Sequence, residues 1–489
     1  MSGRKKKQAK KESSARKHIW NTRRICLATG CALLLACAVG MLLFLRASQC
    51  LTVCTINGHP VTQAELHYCY IEQIASYQDK TRRFGGDGAA GPDLSRPLSK
   101  QSCPLTSGIS WQDYFMNAAL RQLRIQIASV DQAESEGFIG GGMVQEALKL
   151  RLEAIEAAAE EAGLSTQQYL QERYGSHVTM ELIREIELRS ILSARYLAAA
   201  AWDQPLNEDA LEARFSENRR WNMTASYLIV PLDCSTAEQE QAAAALAEAD
   251  GQKDFLSRCA GYCRNDPADR AVLHTEAAAG EMEDYTVLEW VLDETRQPGD
   301  TAVVSLYDEL TNQSGLSALY FLNAQRNSRE TYTYQEILLA PDPVGSDGTS
   351  RCWGAKRMDT LESDLMDEES FGTMALAYST LASANRLGLR TSDAGELSGL
   401  PYAEWLVDRI RKSGDISMFE TEYGVYLIRY IGQGSVYWRN NIENALRSEA
   451  EEALSQELEE NAEVKNGLLF FWLTYSNHQK NRQGLTEVV

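Results

Sequence analysis

Apolar positions follow one pattern twice in the second half of the chain. In the later copy, Phe371 precedes Trp405 by 34 residues, and Gly414 lies nine residues after that tryptophan. In the earlier copy, Phe255 precedes a tryptophan by 35 residues, and a glycine again lies nine residues further on. An apolar run typical of a strand precedes each phenylalanine, and another follows each glycine. The pattern predicts two tandem α+β units, at residues 221–330 and 331–434.

The segment before this repeat has helical spacing instead. Thr62 and Glu65 have the three-residue separation of a capping box and predict a helix that begins there. Ser165 predicts the start of another helix, because serine is a common N-cap residue. We therefore expect a helical domain over residues 50–204 and a C-terminal helix with a tail over 435–489.

A run of 21 residues without a charged side chain, 25–45, lies between a basic N-terminus and the rest of the chain. Spanning a bilayer requires about 20 apolar residues, so the run predicts a transmembrane helix. Residues 1–24 carry ten basic side chains against one acidic side chain. This asymmetry places residues 1–24 in the cytoplasm and the later domains outside the cell membrane, in a single-pass topology. The alternative is a cleaved signal peptide, with Cys37 as a lipid-modified residue.

The whole chain has a net charge of −20 despite its basic start. An acidic body argues against a nucleic-acid partner, because phosphate contacts need clustered Lys and Arg. The eleven cysteines form no CxxC motif, and the six histidines are scattered, so neither a metal nor a cofactor is expected. His274 is predicted to lie in a loop. The sequence allows two interpretations of Cys50, Cys54, Cys69 and Cys103: they form disulfides, or they are buried free thiols.

Two stretches in the later copy suggest a family. The segment Gly395-Glu396-Leu397 and the run from Gly414 to Ile428 resemble motifs of parvulin-type foldases of the SurA and PrsA kind. The resemblance implies an α+β fold class. It would comprise an N-terminal transmembrane helix, a helical SurA-like chaperone domain, two tandem parvulin-like domains and a C-terminal helix that packs back on the helical domain.

The same resemblance implies where catalytic residues would lie. Parvulins resemble one another in placing a histidine on the first strand, a histidine on the last strand and a Cys or Asp after the second helix. The chain departs from this pattern at every matched position, so the units are expected to be degenerate. The matched positions are Tyr227 and Asn265 in the first copy, and Glu336, Leu381 and Tyr426 in the second.

Apolar residues near these positions are candidates for substrate binding. The resemblance implies a membrane-anchored foldase or chaperone that binds unfolded or proline-containing exported polypeptides, with weak or absent isomerase activity. An active peptidyl-prolyl cis-trans isomerase is the first alternative, and a membrane-tethered sensor or structural scaffold is the second. The candidate substrate-binding residues are Phe371, Met374, Trp405, Met418 and Phe419.

Overall fold

The computed structural model describes residues 51–84, 91–175, 177–282, 284–308, 313–339 and 367–467. These residues form two compact units. The first combines Arg151–Ser193 with the described residues up to Ile139 and from Gln456 onward. The second combines Gly140–Leu150 with Ala194–Ser455.

A small antiparallel sheet lies in the first unit and joins the two ends of the described chain. Its strands β1 (Thr52–Ile56), β2 (His59–Thr62) and β11 (Val464–Asn466) are arranged in the order β11-β1-β2. The β1–β2 turn places Asn57 and Gly58 at positive φ, a conformation that these two residue types tolerate.

The helix after β2 begins where the sequence predicts. The backbone N–H of Glu65 donates to Thr62 Oγ1, and the N–H of Thr62 donates to the Glu65 carboxylate, which confirms the capping box. Ser165 is likewise confirmed as an N-cap. The helices up to residue 202 are α1 (Gln63–Phe84), α2 (Trp111–Ser135), α3 (Gly141–Glu161), α4 (Thr166–Tyr174) and α5 (Met180–Trp202).

Two four-stranded sheets lie in the second unit. The first has the order β4-β3-β6-β5 and the second has the order β8-β7-β10-β9. Both are antiparallel, and in both the first strand in sequence pairs with the second and the fourth. The strands are β3 (Met223–Leu232), β4 (Val272–Ala278), β5 (Thr301–Asp308), β6 (Gln313–Arg326), β7 (Thr331–Leu339), β8 (Leu389–Asp393), β9 (Ile416–Thr421) and β10 (Gly424–Gln433).

Short helices cover the sheets. Phe255 on α8 (Gln252–Cys259) packs with strand residues of the first sheet, and Phe371 on α11 (Glu368–Tyr378) packs with strand residues of the second. The remaining helices are α6 (Glu208–Glu217), α7 (Gln239–Ala247), α8 (Gln252–Cys259), α9 (Pro267–Arg270), α10 (Tyr285–Val291), α11 (Glu368–Tyr378), α12 (Ala394–Leu397), α13 (Ala403–Val407) and α14 (Tyr437–Asn461).

The fold class predicted from the sequence needs correction at its membrane helix. In the part of the chain that the structure describes, no helix is both long and apolar enough to cross a bilayer. The architecture described is a mixture of helices and three sheets, without the predicted transmembrane element. The predicted segments 1–24 and 25–45, together with Cys50 and residues 468–489, lie outside the described residues.

Two further expectations are resolved by the structure. His274 lies on β4, opposite Tyr227, so its placement in a loop was wrong. Cys54, Cys69 and Cys103 are buried free thiols. Burial raises the pKa of Cys54 to about 11, which keeps this thiol protonated at neutral pH.

The turn that leads into β8 depends on a glycine. Gly388 has a φ of +77°, and its carbonyl accepts a hydrogen bond of 2.9 Å from the N–H of Glu336 on β7. A Cβ at this position would lie 2.7 Å from the Glu336 carbonyl oxygen. Only glycine therefore allows this close approach.

We expect Gly388→Ala to destabilise the protein more than Gly399→Ala. Gly399 also has a positive φ, of +82°, but a Cβ there would meet nothing within 4 Å. The control change should cost about 1–2 kcal/mol from backbone strain, and the clash at Gly388 should add about 1–3 kcal/mol. Urea unfolding measures both, and equal losses would contradict this account of the turn.

Candidate functional site

The two faces of the second sheet have different surroundings. On one face, Phe371 and Met374 of α11 pack against Ile337, Val425 and Leu427. This face is closed, because Phe371 is 0% exposed and Met374 is 6% exposed. Side chains alternate between faces along a strand, so neighbouring strand positions point to the opposite face.

The opposite face carries a set of packed aromatic rings. Tyr402, which is 1% exposed, lies at its centre. Its ring centroid is 5.5 Å from that of Tyr426 and 6.1 Å from that of Phe419. The ring of Trp405 lies 6.0 Å from that of Phe419, edge to face, and Arg411 lies over the indole. We call Tyr402, Trp405, Phe419 and Tyr426 the aromatic face; all except Tyr402 are partly exposed.

A buried carboxylate lies beneath the aromatic face. Glu336 is 2% exposed. Its Oε1 accepts a hydrogen bond of 2.9 Å from the Ser383 hydroxyl, and its Oε2 accepts one of 3.0 Å from the Tyr402 hydroxyl. Arg390 Nη1 donates to Oε1 at 3.4 Å. Burial, and then the nearby Glu336 carboxylate, raise the pKa of Tyr402 far above its usual value, so its hydroxyl keeps the proton that it donates.

The parvulin-matched positions of the second copy are only partly brought together. Tyr426 pairs with Leu338 on the neighbouring strand, so these two side chains lie on the same face of the sheet. Glu336 is two residues before Leu338 on β7 and therefore shares that face. Leu381 precedes the 3-10 turn Ala382–Arg386 and offers no titratable group. Ser383, two residues after Leu381, is the residue that contacts the Glu336 carboxylate.

The candidate substrate-binding residues divide between the two faces. Trp405 and Phe419 belong to the aromatic face. Phe371 and Met374 lie in the closed core under α11. Met418 is 37% exposed and pairs with Leu427, so it lies on the opposite side of β9 from Phe419. The structure therefore does not bring all five residues into one site.

The equivalent region of the first copy has different chemistry. Tyr227 on β3 is 2% exposed, and its ring stacks on that of His274 at 4.6 Å with an interplanar angle of 10°. His274 is partly exposed. Asn265, the third matched position, is exposed in the connection between α8 and α9. Tyr227 and His274 thus form a stacked pair, whereas Asn265 lies exposed on a separate connecting segment.

Sequence reasoning missed Tyr402, Ser383 and Arg390, which surround Glu336. They are joined to it across 66, 47 and 54 residues of sequence, respectively. No local spacing signals such contacts. Within the described ranges, no cluster of three or more His, Cys, Asp or Glu side chains could hold a metal ion.

No protein-family model matches the chain, and no curated protein sequence matches it. Three solved structures similar to it are PrsA proteins. The structure from Bacillus subtilis is 12% identical, with a TM-score of 0.22, over 74% of this chain and 91% of that one. The Lactococcus lactis foldase protein is 10% identical, with a TM-score of 0.20, over 73% and 99%.

The peptidylprolyl isomerase PrsA from Bacillus anthracis is 19% identical, with a TM-score of 0.16, and the match covers 27% of this chain. The chain spans 58% of the length of that protein. Of these three structures, the one from Bacillus anthracis is described as a peptidylprolyl isomerase and the one from Lactococcus lactis as a foldase protein.

We expect Glu336→Leu to destabilise the protein by about 2–6 kcal/mol, because it leaves two buried hydroxyls without an acceptor and removes the partner of the partly exposed Arg390. Adding Tyr402→Phe should recover part of the lost stability, because it removes the Tyr402 hydroxyl that Glu336→Leu leaves without an acceptor. Urea unfolding of both single variants and the double variant measures this coupling. Additive losses would show that the hydroxyl and the carboxylate do not interact.

Proposed function

We propose that the protein binds unfolded or proline-containing exported polypeptides on the aromatic face of the second sheet, outside the cytoplasm, and has little or no isomerase activity. The observation that carries this proposal is the burial and hydrogen bonding of the Glu336 carboxylate. At the position where the parvulin resemblance implies a catalytic histidine, its carboxylate is buried and accepts hydrogen bonds from Ser383, Tyr402 and Arg390.

Catalysis of proline isomerisation requires groups that favour the twisted amide over the planar one. The barrier is about 18–20 kcal/mol because the C–N bond has partial double-bond character. Only groups that interact more strongly with the transition state lower this barrier. A carboxylate with three internal donors is not available for that purpose, and Leu381 supplies no polar group.

Binding a polypeptide requires an accessible apolar contact area but no stabilisation of a twisted amide, and the aromatic face provides such an area. Partly exposed aromatic side chains provide a large apolar contact area and lose little conformational entropy when they bind. Phe419 contacts the ring of Trp405 and pairs with Tyr426 across β9 and β10, and the buried Tyr402 contacts the rings of Phe419 and Tyr426. Arg411 over the Trp405 ring adds a cation at the edge of this surface. The arrangement suits extended segments with apolar or proline side chains.

We expect Trp405→Ala to weaken binding of a permanently unfolded, labelled polypeptide by about tenfold or more, as removal of a central aromatic contact does elsewhere. Trp221→Ala is the matched control, because Trp221 is 54% exposed and lies on the turn before β3. It should change the dissociation constant less than twofold. Fluorescence anisotropy measures both, with unfolding curves to verify the fold. Equal effects of the two changes would contradict a binding role for the aromatic face.

The stacked pair of Tyr227 and His274 favours a second candidate function. General acid–base catalysis most often uses a histidine side chain. His274 is partly exposed beside Tyr227, which holds the first-strand position of the earlier copy. Slow isomerase activity would therefore reside in the first copy.

For this second candidate, we expect any acceleration of proline isomerisation in a test peptide to be lost in His274→Ala and kept in Trp405→Ala. A protease-coupled or NMR exchange assay measures the rate against the uncatalysed reaction. Acceleration that survives His274→Ala would exclude the pair as its source. An uncatalysed rate for the unaltered protein would leave binding as the function that the geometry supports.

A further inference from the structure

A cavity of about 950 Å³ lies in the second unit, beyond the β8 side of the second sheet. Its walls are the end of α5, the Ala382–Arg386 turn with β8, and the first half of α14. Drug-sized and peptide-sized ligands occupy cavities of roughly 300–1,000 Å³, so this one is larger than a single ion requires. Four of its lining residues are arginines: Arg195, Arg386, Arg390 and Arg447.

Trp202 holds two of these arginines. Its indole N–H donates to Glu451 at 2.7 Å, which fixes the ring. The guanidinium of Arg386 lies 3.8 Å from the ring centroid, and that of Arg447 lies 6.0 Å from it. Stacking on an indole attracts a guanidinium through its charge and fixes its plane, but leaves its N–H groups at the edge.

Neither arginine on Trp202 has a hydrogen-bond acceptor among the residues that the structure describes. Arg386 and Arg447 form no hydrogen bond and no ion pair with the described residues, whereas Arg195 pairs with Asp203 at 2.8 Å and Arg390 with Glu336 at 3.4 Å. The Nε of Arg447 is buried without a partner. Burial also lowers the pKa of Arg386, as expected for a cation with reduced hydration.

The acidic residues that line the cavity are engaged with other groups. Asp203 pairs with Arg195, and Glu443 accepts from Arg439 at 2.8 Å. Glu368 is 3.9 Å from Arg429. Glu396 accepts from the N–H of Asp393, and burial raises the pKa of Glu396, which favours its neutral form. Glu451, one turn after Arg447 on α14, accepts a hydrogen bond from the Trp202 indole, and its negative charge also acts on Arg386 without a hydrogen bond between them.

We propose that Arg386 and Arg447 form a binding site for a carboxylate carried by a polypeptide, which enters the cavity beside Trp202. A guanidinium presents paired N–H donors that match the two oxygens of a carboxylate. The volume of the cavity accommodates the residue that carries the carboxylate together with its neighbours. The carboxylate is that of a chain end or of an Asp or Glu side chain, since both present the same group.

The claim that a polypeptide carries the carboxylate rests on the proposed function. The claim that the two arginines bind a carboxylate does not. The cavity is also distinct from the aromatic face. Arg390 is the residue that connects them, because it lines the cavity and donates to the buried Glu336. A polypeptide bound at both places would present apolar residues to one site and an acidic group to the other.

The test uses three labelled peptides with the full chain and fluorescence anisotropy. The first has a free carboxyl end and no acidic side chain, the second is its amidated form, and the third is amidated with one internal Glu. We expect the first or the third to bind about tenfold or more tightly than the second, because hydrogen bonds to a charged group are strong. The peptide that does so identifies the source of the carboxylate.

Arg386→Met should abolish this preference, because methionine keeps an apolar contact with Trp202 but has no donors. Arg447→Met is the second variant, and it keeps the proposal testable if the first impairs folding. Arg264→Met is the control, since Arg264 is exposed and lies outside the cavity. Unfolding curves verify each fold.

Equal binding of all three peptides, or a preference that survives both arginine variants, would overturn the proposal. Competition by inorganic phosphate but not by acetate would also overturn it, because the site would then be selective for phosphate. Trp405→Ala separates this inference from the proposed function. If the aromatic face does not bind polypeptide, Trp405→Ala has no effect on total affinity, while the carboxylate preference and its loss in Arg386→Met remain.

Discussion

The carboxylate of Glu336 is held inside the second sheet by the hydroxyls of Ser383 and Tyr402 and by the guanidinium of Arg390. An isolated ion in a protein interior costs several kcal/mol, so these donors and the acceptor depend on one another. The network ties β7 to the Ala382–Arg386 turn, to β8 and to the segment before α13. The position of the aromatic face follows from it, because Tyr402 is both a donor to Glu336 and the centre of that face.

The two sheets of the second unit share a strand order but not their chemistry. The first copy has a tyrosine stacked on a histidine, and the second copy has a buried glutamate beneath a cluster of rings. The same backbone arrangement thus supports a stacked tyrosine–histidine pair in one copy and a cluster of aromatic rings in the other. Function is determined by these side chains and not by the strand order that the copies share.

Local signals in the sequence predicted local structure well. Thr62 was identified as an N-cap because its capping box with Glu65 spans only three positions, and Ser165 because serine is a common N-cap residue. The strand β4 was missed because most of its side chains are exposed, which leaves no alternation of apolar and polar residues to detect. His274 was therefore assigned to a loop. The predicted transmembrane helix has no counterpart in the described structure, where no helix could span a bilayer.

The candidate site was harder to predict, because it depends on side-chain direction and on contacts between distant residues. Met418 and Phe419 are adjacent and apolar, yet they lie on opposite sides of β9. Phe371 and Met374 were grouped with them by apolar character, although α11 buries both in the core. Tyr402 has no sequence signal, because its partner Glu336 lies 66 residues away.

Hydrogen–deuterium exchange with and without an unfolded polypeptide tests the central claim most directly. If the aromatic face binds the polypeptide, exchange should slow in α13 and in β9, which is the edge strand of the second sheet. Exchange in β5, the corresponding edge of the first sheet, should not change. Slower exchange in β5 with no change in α13 or β9 would contradict the claim.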